Sequence, residues 1–258
     1  MSDVPPSHPR YASLLTREKV VEGVEIGITG QNGLIAQGRG EAFDYLIGER
    51  TTEAAEEAQR AAAAMLLLAE RPVLSVNGNA AALVPGEMVS LAKRIAAPLE
   101  VNIFYRTEER VRRIADHLRS FGAEEVFGEE PDVAIPGLDH ARGKATRGGI
   151  FDADVVFVPL EDGDRCEALV RMGKRVITVD LNPLSRTART STVTIVDNVV
   201  RALPNLISLV EEMAGRDRAD LAGILEAYDN TAILRRSVEE VITHLARSFS
   251  PLDELSPP

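Results

Sequence analysis

The chain has 258 residues, 45% of them hydrophobic, a formal charge of −11 and a single cysteine, Cys166. One domain of this size can bury a full core, whereas one thiol excludes an intramolecular disulfide and a cysteine-rich metal site. The acidic balance, the lack of tryptophan and the 4% aromatic content weigh against nucleic acid or an anionic membrane as partner.

Apolar positions Tyr11, Leu14, Leu15, Val20, Val21 and Val24 recur at helical spacing and predict a helix over 9–24. A second helix follows the Gly30/Gly33 turn, over 34–46. Residues 51–70 read as a long alanine-rich helix with Thr52 as its cap and Glu53, Glu56 and Glu57 in its first turns. Its apolar run, 61–69, is far shorter than the roughly 20 residues that cross a bilayer. The N-terminal segment lacks the apolar stretch of a secretion signal, so the expected location is cytoplasmic.

From Pro72 the pattern changes to short β-branched runs separated by helices. Strands are predicted at 73–76, 99–104, 154–158, 176–179 and 192–195, with helices at 87–95, 108–121 and 164–172. This alternation predicts an α/β fold, a mainly parallel sheet with helices on both faces. Residues 127–150, with Pro131, Pro136, Gly137, Gly143, Gly148 and Gly149, break the rhythm and read as an active-site lid. A helical extension begins at about 199, with helices at 199–213, 219–227 and 237–249. The expected organisation is one domain over 1–249 and a fraying tail over 250–258.

The segment from Arg175 to Thr187 carries the strongest chemical signal. A buried strand runs into a loop with Asp180, Asn182, Ser185, Arg186 and Thr187, and in open α/β sheets ligands bind outside the carboxyl ends of strands. Asp180 suits ribose hydroxyls, while Arg186 and Thr187 suit phosphate oxygens. Further along, Asp197 is expected to cap the helix that begins at Asn198 and Val199, leaving backbone amides for a phosphate or base edge.

Other strand ends offer lesser candidates. Asn77-Gly78-Asn79 provides amides and close backbone approach, or simply a capped turn. Asn102 and Arg106 precede a helix capped by Thr107, so Arg106 stands where an anion meets a helix N-terminus, unless it is only solvated. Glu161, Asp162 and Asp164 could hold magnesium through water, receive an amine, or merely cap the next helix. Gly38-Arg39-Gly40 is poorly suited to a helix interior and well suited to touching a ligand. Gly143-Lys144 lacks the Ser or Thr of a P-loop, no dinucleotide glycine pattern follows a strand, and His8, His117, His140 and His244 show no metal spacing. Residue chemistry therefore reaches a nucleotide-dependent α/β enzyme with an anionic substrate.

Longer motifs go further. Ser7-His-Pro-Arg-Tyr11, Leu14-Leu-Thr-Arg-Glu18, Gly38-Arg-Gly-Glu-Ala-Phe-Asp-Tyr-Leu46, Ser75-Val-Asn-Gly-Asn79, Val158-Pro-Leu-Glu-Asp-Gly-Asp-Arg165 and Asp180-Leu-Asn-Pro-Leu-Ser-Arg-Thr187 closely resemble the archaeal phosphopantothenate synthetases, or 4-phosphopantoate–β-alanine ligases. The resemblance spans about residues 7–213 and implies a Rossmann-like homodimer of coenzyme A biosynthesis. It implies ATP and magnesium as cofactors, 4-phosphopantoate and β-alanine as substrates, and AMP and pyrophosphate as by-products. Carried over to matching positions, it assigns ATP contacts to Arg17, Arg39, Asp180, Leu181, Asn182, Arg186, Thr187, Asn198 and Val199. Arg39 and Arg186 are then expected on the triphosphate, and Arg106, Arg142 and Lys144 on the phosphate of phosphopantoate. Asn77, Asn79, Asn102, Asp162 and Asp164 complete the expected substrate contacts. The helices beyond Gly215 look divergent from the family. The rival readings are a nucleotide-binding regulatory module without chemistry, and an NAD(P)-dependent oxidoreductase, which the missing glycine fingerprint disfavours.

Overall fold

A computed structural model describes residues 4–8 and 10–248; the expected tail over 250–258 lies outside them. In chain order the elements are α1 (Tyr11–Glu25), α2 (Gln31–Ile47), α3 (Glu53–Leu68), β1 (Pro72–Val76), α4 (Gly78–Leu83), α5 (Pro85–Arg94), β2 (Leu99–Val101), α6 (Glu108–Ser120), β3 (Val126–Phe127), β4 (Val133–Ala134), β5 (Lys144–Ala145), β6 (Val155–Phe157), α7 (Gly163–Arg171), β7 (Arg175–Val179), α8 (Arg186–Thr190), β8 (Val193–Ile195), α9 (Val199–Met213), α10 (Arg218–Ala227) and α11 (Asn230–Ser248).

Six strands form one sheet in the order β3-β2-β1-β6-β7-β8. Every pairing in it is parallel, for example Leu74 with Leu99 and Pro72 with Val155. The chain thus builds outward from β1 on one side and from β6 on the other, the doubly wound arrangement whose crevice opens between those two strands.

The period-two alternation of strands sorts the core into two layers. Leu74, Val76, Val155, Phe157, Ile177 and Val179 face the main cluster, which also takes in buried residues of α3, α5, α6 and α9. Val73, Val156, Val158 and Val176 face the other way, onto Cys166, Ala168 and Leu169 of α7 and onto Ile135, Ala145 and Ile150. In α3 the buried side chains include Ala54, Ala55, Ala58 and Ala61 to Ala64, small enough for close approach of α9, α10 and α11, all of which touch it. Thr52 and Thr107 cap α3 and α6 as expected, accepting the Ala55 and Arg110 N–H groups.

Two expectations are corrected here. Residues 127–150 are not a loose lid: Val133 pairs with Ala145 in an antiparallel ribbon, and the segment supplies part of the second core layer. Glu100, on β2, accepts the Thr146 and Ile150 N–H groups at 3.1 and 2.7 Å and pins the segment to the sheet. Gly149 is required there, since a methyl group on it would lie 2.1 Å from Glu100 Oε2. The second correction concerns Gly38-Arg39-Gly40, which lies inside α2. Two glycines cost that helix roughly 1 kcal/mol each, and packing of Ile47, Glu41 and Asp44 against the body overrides the cost.

Candidate active site

A cleft of about 600 Å³ opens at the carboxyl end of the sheet. Asn77, at the end of β1, braces it: Oδ1 caps α4 by accepting the Ala80 N–H at 2.9 Å, while Nδ2 donates to the Pro159 and Leu160 carbonyls at 2.9 and 3.1 Å, beyond β6. Leu160 is held at φ +56, a backbone state that a leucine keeps only where its surroundings enforce it. Asn79 braces the neighbouring wall, accepting from the Thr29 hydroxyl at 2.6 Å and donating to the Gly33 carbonyl at 2.9 Å. Asn77 and Asn79 line the cleft, but their side chains already serve the scaffold.

One half of the cleft is built from the loops after β7 and β8. Asp180 Oδ1 accepts the Asn182 N–H at 2.9 Å and Oδ2 the Ser185 hydroxyl at 2.5 Å, folding the loop back toward its strand. Burial raises the Asp180 carboxyl above its usual range, against the hydrogen bonds from Ser185 and Asn182. Ser185 caps the short α8, and the Thr187 hydroxyl donates to the Glu161 carbonyl at 2.8 Å, joining this loop to the one after β6. Arg186 stays largely exposed, 3.5 Å from Glu167. Leu181, Asn182, Asn198, Val199 and, from α2, Arg39 complete this half. The N-cap of α9 is Asn198 and not Asp197, because the Asp197 carboxylate is taken by the Thr51 hydroxyl and the Arg201 guanidinium.

The other half is lined by Thr29, Gly30, Asn32, Ile103, Tyr105 and Arg110. Arg110 donates only to carbonyls, those of Ile28 at 3.2 Å and Tyr105 at 3.3 Å, and burial lowers its pKa. It is a cation without a carboxylate partner among the described residues. Gly30 is the N-cap of α2 and offers no capping side chain, so that end of the helix adds positive potential to the same wall.

Between the halves lies a buried charge cluster. The Glu161 carboxylate is shared by Arg142, 3% exposed, and Arg165, fully enclosed. Burial, reinforced by the charge of Arg165, brings Arg142 down to about 9, and burial brings Arg165 down to about 10. Arg142 also donates to the Asn102 carbonyl at 2.8 Å and lies 3.3 Å from Asp162. Glu161 and Asp162 together balance the two guanidinium groups, and Arg142 and Asp162 both line the cleft.

The cleft therefore brings together Arg39, Asn77, Asn79, Arg142, Asp162, Asp180, Leu181, Asn182, Arg186, Thr187, Asn198 and Val199. Five expected residues stand outside it. Arg17 faces a separate hollow between α1 and α2 and pairs with Glu41 at 2.8 Å. Arg106 turns to the Gly128 carbonyl, Lys144 is exposed on β5, and the buried Asn102 amide donates to the Arg142 and Lys144 carbonyls. Asp164 pairs with His140 at 2.8 Å, so the acidic loop does not present three carboxylates together. Among the described residues no group of three or more His, Cys, Asp or Glu is placed to hold a metal ion. Sequence reasoning missed Arg110, which stands among other charged residues in the first turn of α6, and the fully enclosed Arg165, whose burial no local pattern announces. A periodicity argument could have found Arg110, since it follows Thr107 by three residues on the turn that begins α6.

A family model described as phosphopantothenate/pantothenate synthetase matches residues 54–244. A Thermococcus kodakarensis protein named 4-phosphopantoate–beta-alanine ligase is 58% identical over 255 residues, 98% of this chain and 96% of its own. Proteins of the same name from Methanosarcina mazei and Methanospirillum hungatei are 56% and 48% identical, covering 95% and 92% of this chain and 96% of each relative. Both the family match and the T. kodakarensis alignment run past Gly215, so the helices there have counterparts in the family. The chain therefore belongs to the phosphopantothenate/pantothenate synthetase family.

Proposed function

We propose that the protein is an ATP-dependent ligase that joins the carboxylate of 4-phosphopantoate to the amine of β-alanine, giving 4'-phosphopantothenate, AMP and pyrophosphate in coenzyme A biosynthesis. The observation that carries this reading is the convergence of Arg39, Arg110, Arg142 and Arg186 on one cleft in a chain of net charge −11. Glu161, Asp162 and Asp180 line the same cleft and Arg142 is taken up by the first two, but Arg110, held only by carbonyls, and the exposed Arg186 suit two polyanions held side by side. The names of the relatives point to the same substrates.

The Asp180 half is assigned to ATP, with Arg39 and Arg186 on the triphosphate and the Asn198–Val199 turn near its phosphates or base. The Arg110 half is assigned to 4-phosphopantoate. A pantoate oxygen attacks the α-phosphorus and pyrophosphate leaves, forming a phosphopantoyl adenylate. The β-alanine amine, having shed a proton, then attacks the acyl carbon and AMP leaves. The arginines stabilise charge that builds on phosphate oxygens, and the braced walls hold the reactants in line; positioning and electrostatics supply the catalysis. Asp162, half-exposed on the cleft, is the carboxylate best placed for the β-alanine ammonium. Magnesium would come with the triphosphate, since it keeps most of its water and needs few protein ligands, and the described residues build no cage for it.

The exposed apolar side chains Val21, Ile26, Leu34, Ile35 and Tyr45 of the α1–α2 region fit a homodimer joined through that face, with Arg17 at its edge. A cytoplasmic location fits the free buried thiol of Cys166.

The test is an assay for AMP with each substrate omitted in turn. AMP is expected only when ATP, 4-phosphopantoate and β-alanine are all present, because it leaves when the amine attacks the adenylate; binding of ATP without turnover under any combination would point to a regulatory module. Arg39→Ala and Arg186→Ala are each expected to lower turnover or ATP affinity by roughly 10²-fold.

A further inference from the structure

Arg39 and Asn198 reach the cleft from helices far apart in sequence, and one buried carboxylate joins those helices. Asp44, five residues after Arg39 on α2, is 5% exposed. Its Oδ2 accepts the Asn198 Nδ2 amide at 2.7 Å and the Arg201 Nη1 at 3.1 Å; its Oδ1 accepts Arg201 Nη2 at 2.5 Å. Arg201 in turn bridges to Asp197 Oδ1 at 2.7 to 2.9 Å. The Thr51 hydroxyl closes the set on Asp197 Oδ2 at 2.7 Å.

The geometry fixes the Asn198 amide at both ends. Its nitrogen is given to Asp44, and its oxygen caps α9 by accepting the Val200 N–H at 3.3 Å. A side chain so engaged has little left for a ligand. The Asn198 N–H is also taken, by Asp197 Oδ1 at 2.7 Å, so what this turn offers the cleft is the Val199 main chain at the positive end of a helix of 15 residues.

We propose that Asp44 is a positioning residue for the nucleotide: it turns the Asn198 amide into the scaffold, so that the Val199 main chain meets ATP, and it locks the helix bearing Arg39 against the start of α9. This rests on the assignment of the Asp180 half to ATP. Charge alone would have the opposite effect. Asp44 and Asp197 share the single cation Arg201, so the cluster is negative beside a site for a polyanion, and removing one charge would by itself tighten ATP binding.

That opposition supplies the test, with ATP binding to the intact protein followed by calorimetry without the other substrates, and steady-state kinetics alongside. Asp44→Asn is expected to weaken ATP binding roughly tenfold, the scale of one lost charge-assisted hydrogen bond. The KM for 4-phosphopantoate and for β-alanine is expected to stay within about twofold and kcat to change little, as no contact to the reacting atoms is removed. Asn198→Asp places two carboxylates face to face and is expected to weaken ATP binding as well. The double variant Asp44→Asn/Asn198→Asp restores a donor and an acceptor in reversed order, with the carboxylate introduced at position 198 still able to cap α9, and is expected to recover most of the affinity. Unchanged or tighter ATP binding in Asp44→Asn overturns the proposal. Should that variant fail to fold, absence of recovery from Asn198→Asp to the double variant overturns it equally. A parent protein that binds no ATP would instead sink the functional reading.

Discussion

Gly163 and Arg186 are packed so closely that a methyl group on the glycine would lie 2.5 Å from the arginine Nε and 2.8 Å from its Cβ. Gly163 opens α7 and Arg186 opens α8, so this contact sets where the guanidinium leaves the protein surface. Gly163→Ala must push Arg186 aside, because its Cβ cannot swing away as the tip of the side chain can. The expected outcome is a several-fold higher KM for ATP, with overpacking destabilising by about 1–3 kcal/mol. Kinetics and a melting curve check both, and wild-type values for KM would show that Arg186 does not act from this position.

Arg110 has two carbonyls and, among the described residues, no carboxylate to satisfy it, which leaves its charge free for a ligand. Arg110→Ala is expected to raise the KM for 4-phosphopantoate by roughly 10- to 100-fold, the range for losing a hydrogen bond to a charged group. The KM for ATP should move far less. Arg110→Lys is expected to fall between, since a point charge replaces a planar fork. Equal effects on both KM values would undo the division of the cleft into two halves.

Burial lifts Glu100 to about 7, against the hydrogen bonds from Ile150 and Thr146 and the charges of Arg165 and Arg106. The folded protein therefore holds a proton that the unfolded chain, with its carboxyl in the ordinary range, has already released. The stability linked to this group is greatest below the unfolded value and declines as pH rises toward about 7. Glu100→Gln is expected to remove that decline. The difference in melting temperature between parent and variant, followed from about pH 4 to about pH 8, should change across the interval and level off at about 7. A constant difference would show that Glu100 is ionised throughout.

The layered fold was legible because it follows from periodicity: β7 matches its expected run to within a residue, and α9 matches without error. Short elements were not. β3 has two residues and α8 five, too few for any period to emerge from the surrounding sequence. In the cleft, Asp180, Arg186 and Thr187 were legible because strand ends are where such sheets bind ligands. Asp44 and Arg201 were not, since they join residues 157 apart in the chain and each by itself reads as ordinary helix surface. Arg106 and Lys144 stand apart from the cleft for the converse reason: their charges suit an anion, but Arg106 is turned to the Gly128 carbonyl and Lys144 lies exposed on β5.

The four arginines of the cleft have a consequence at the end of the reaction. In the proposed reaction AMP, pyrophosphate and 4'-phosphopantothenate would be as anionic as the compounds they replace, and would meet the same guanidinium groups. Departure is thus expected to be the slow event, hastened by salt that screens the grip and retarded by added pyrophosphate. An enzyme of this design would show a burst in its first turnover and then settle to the tempo at which its cleft empties.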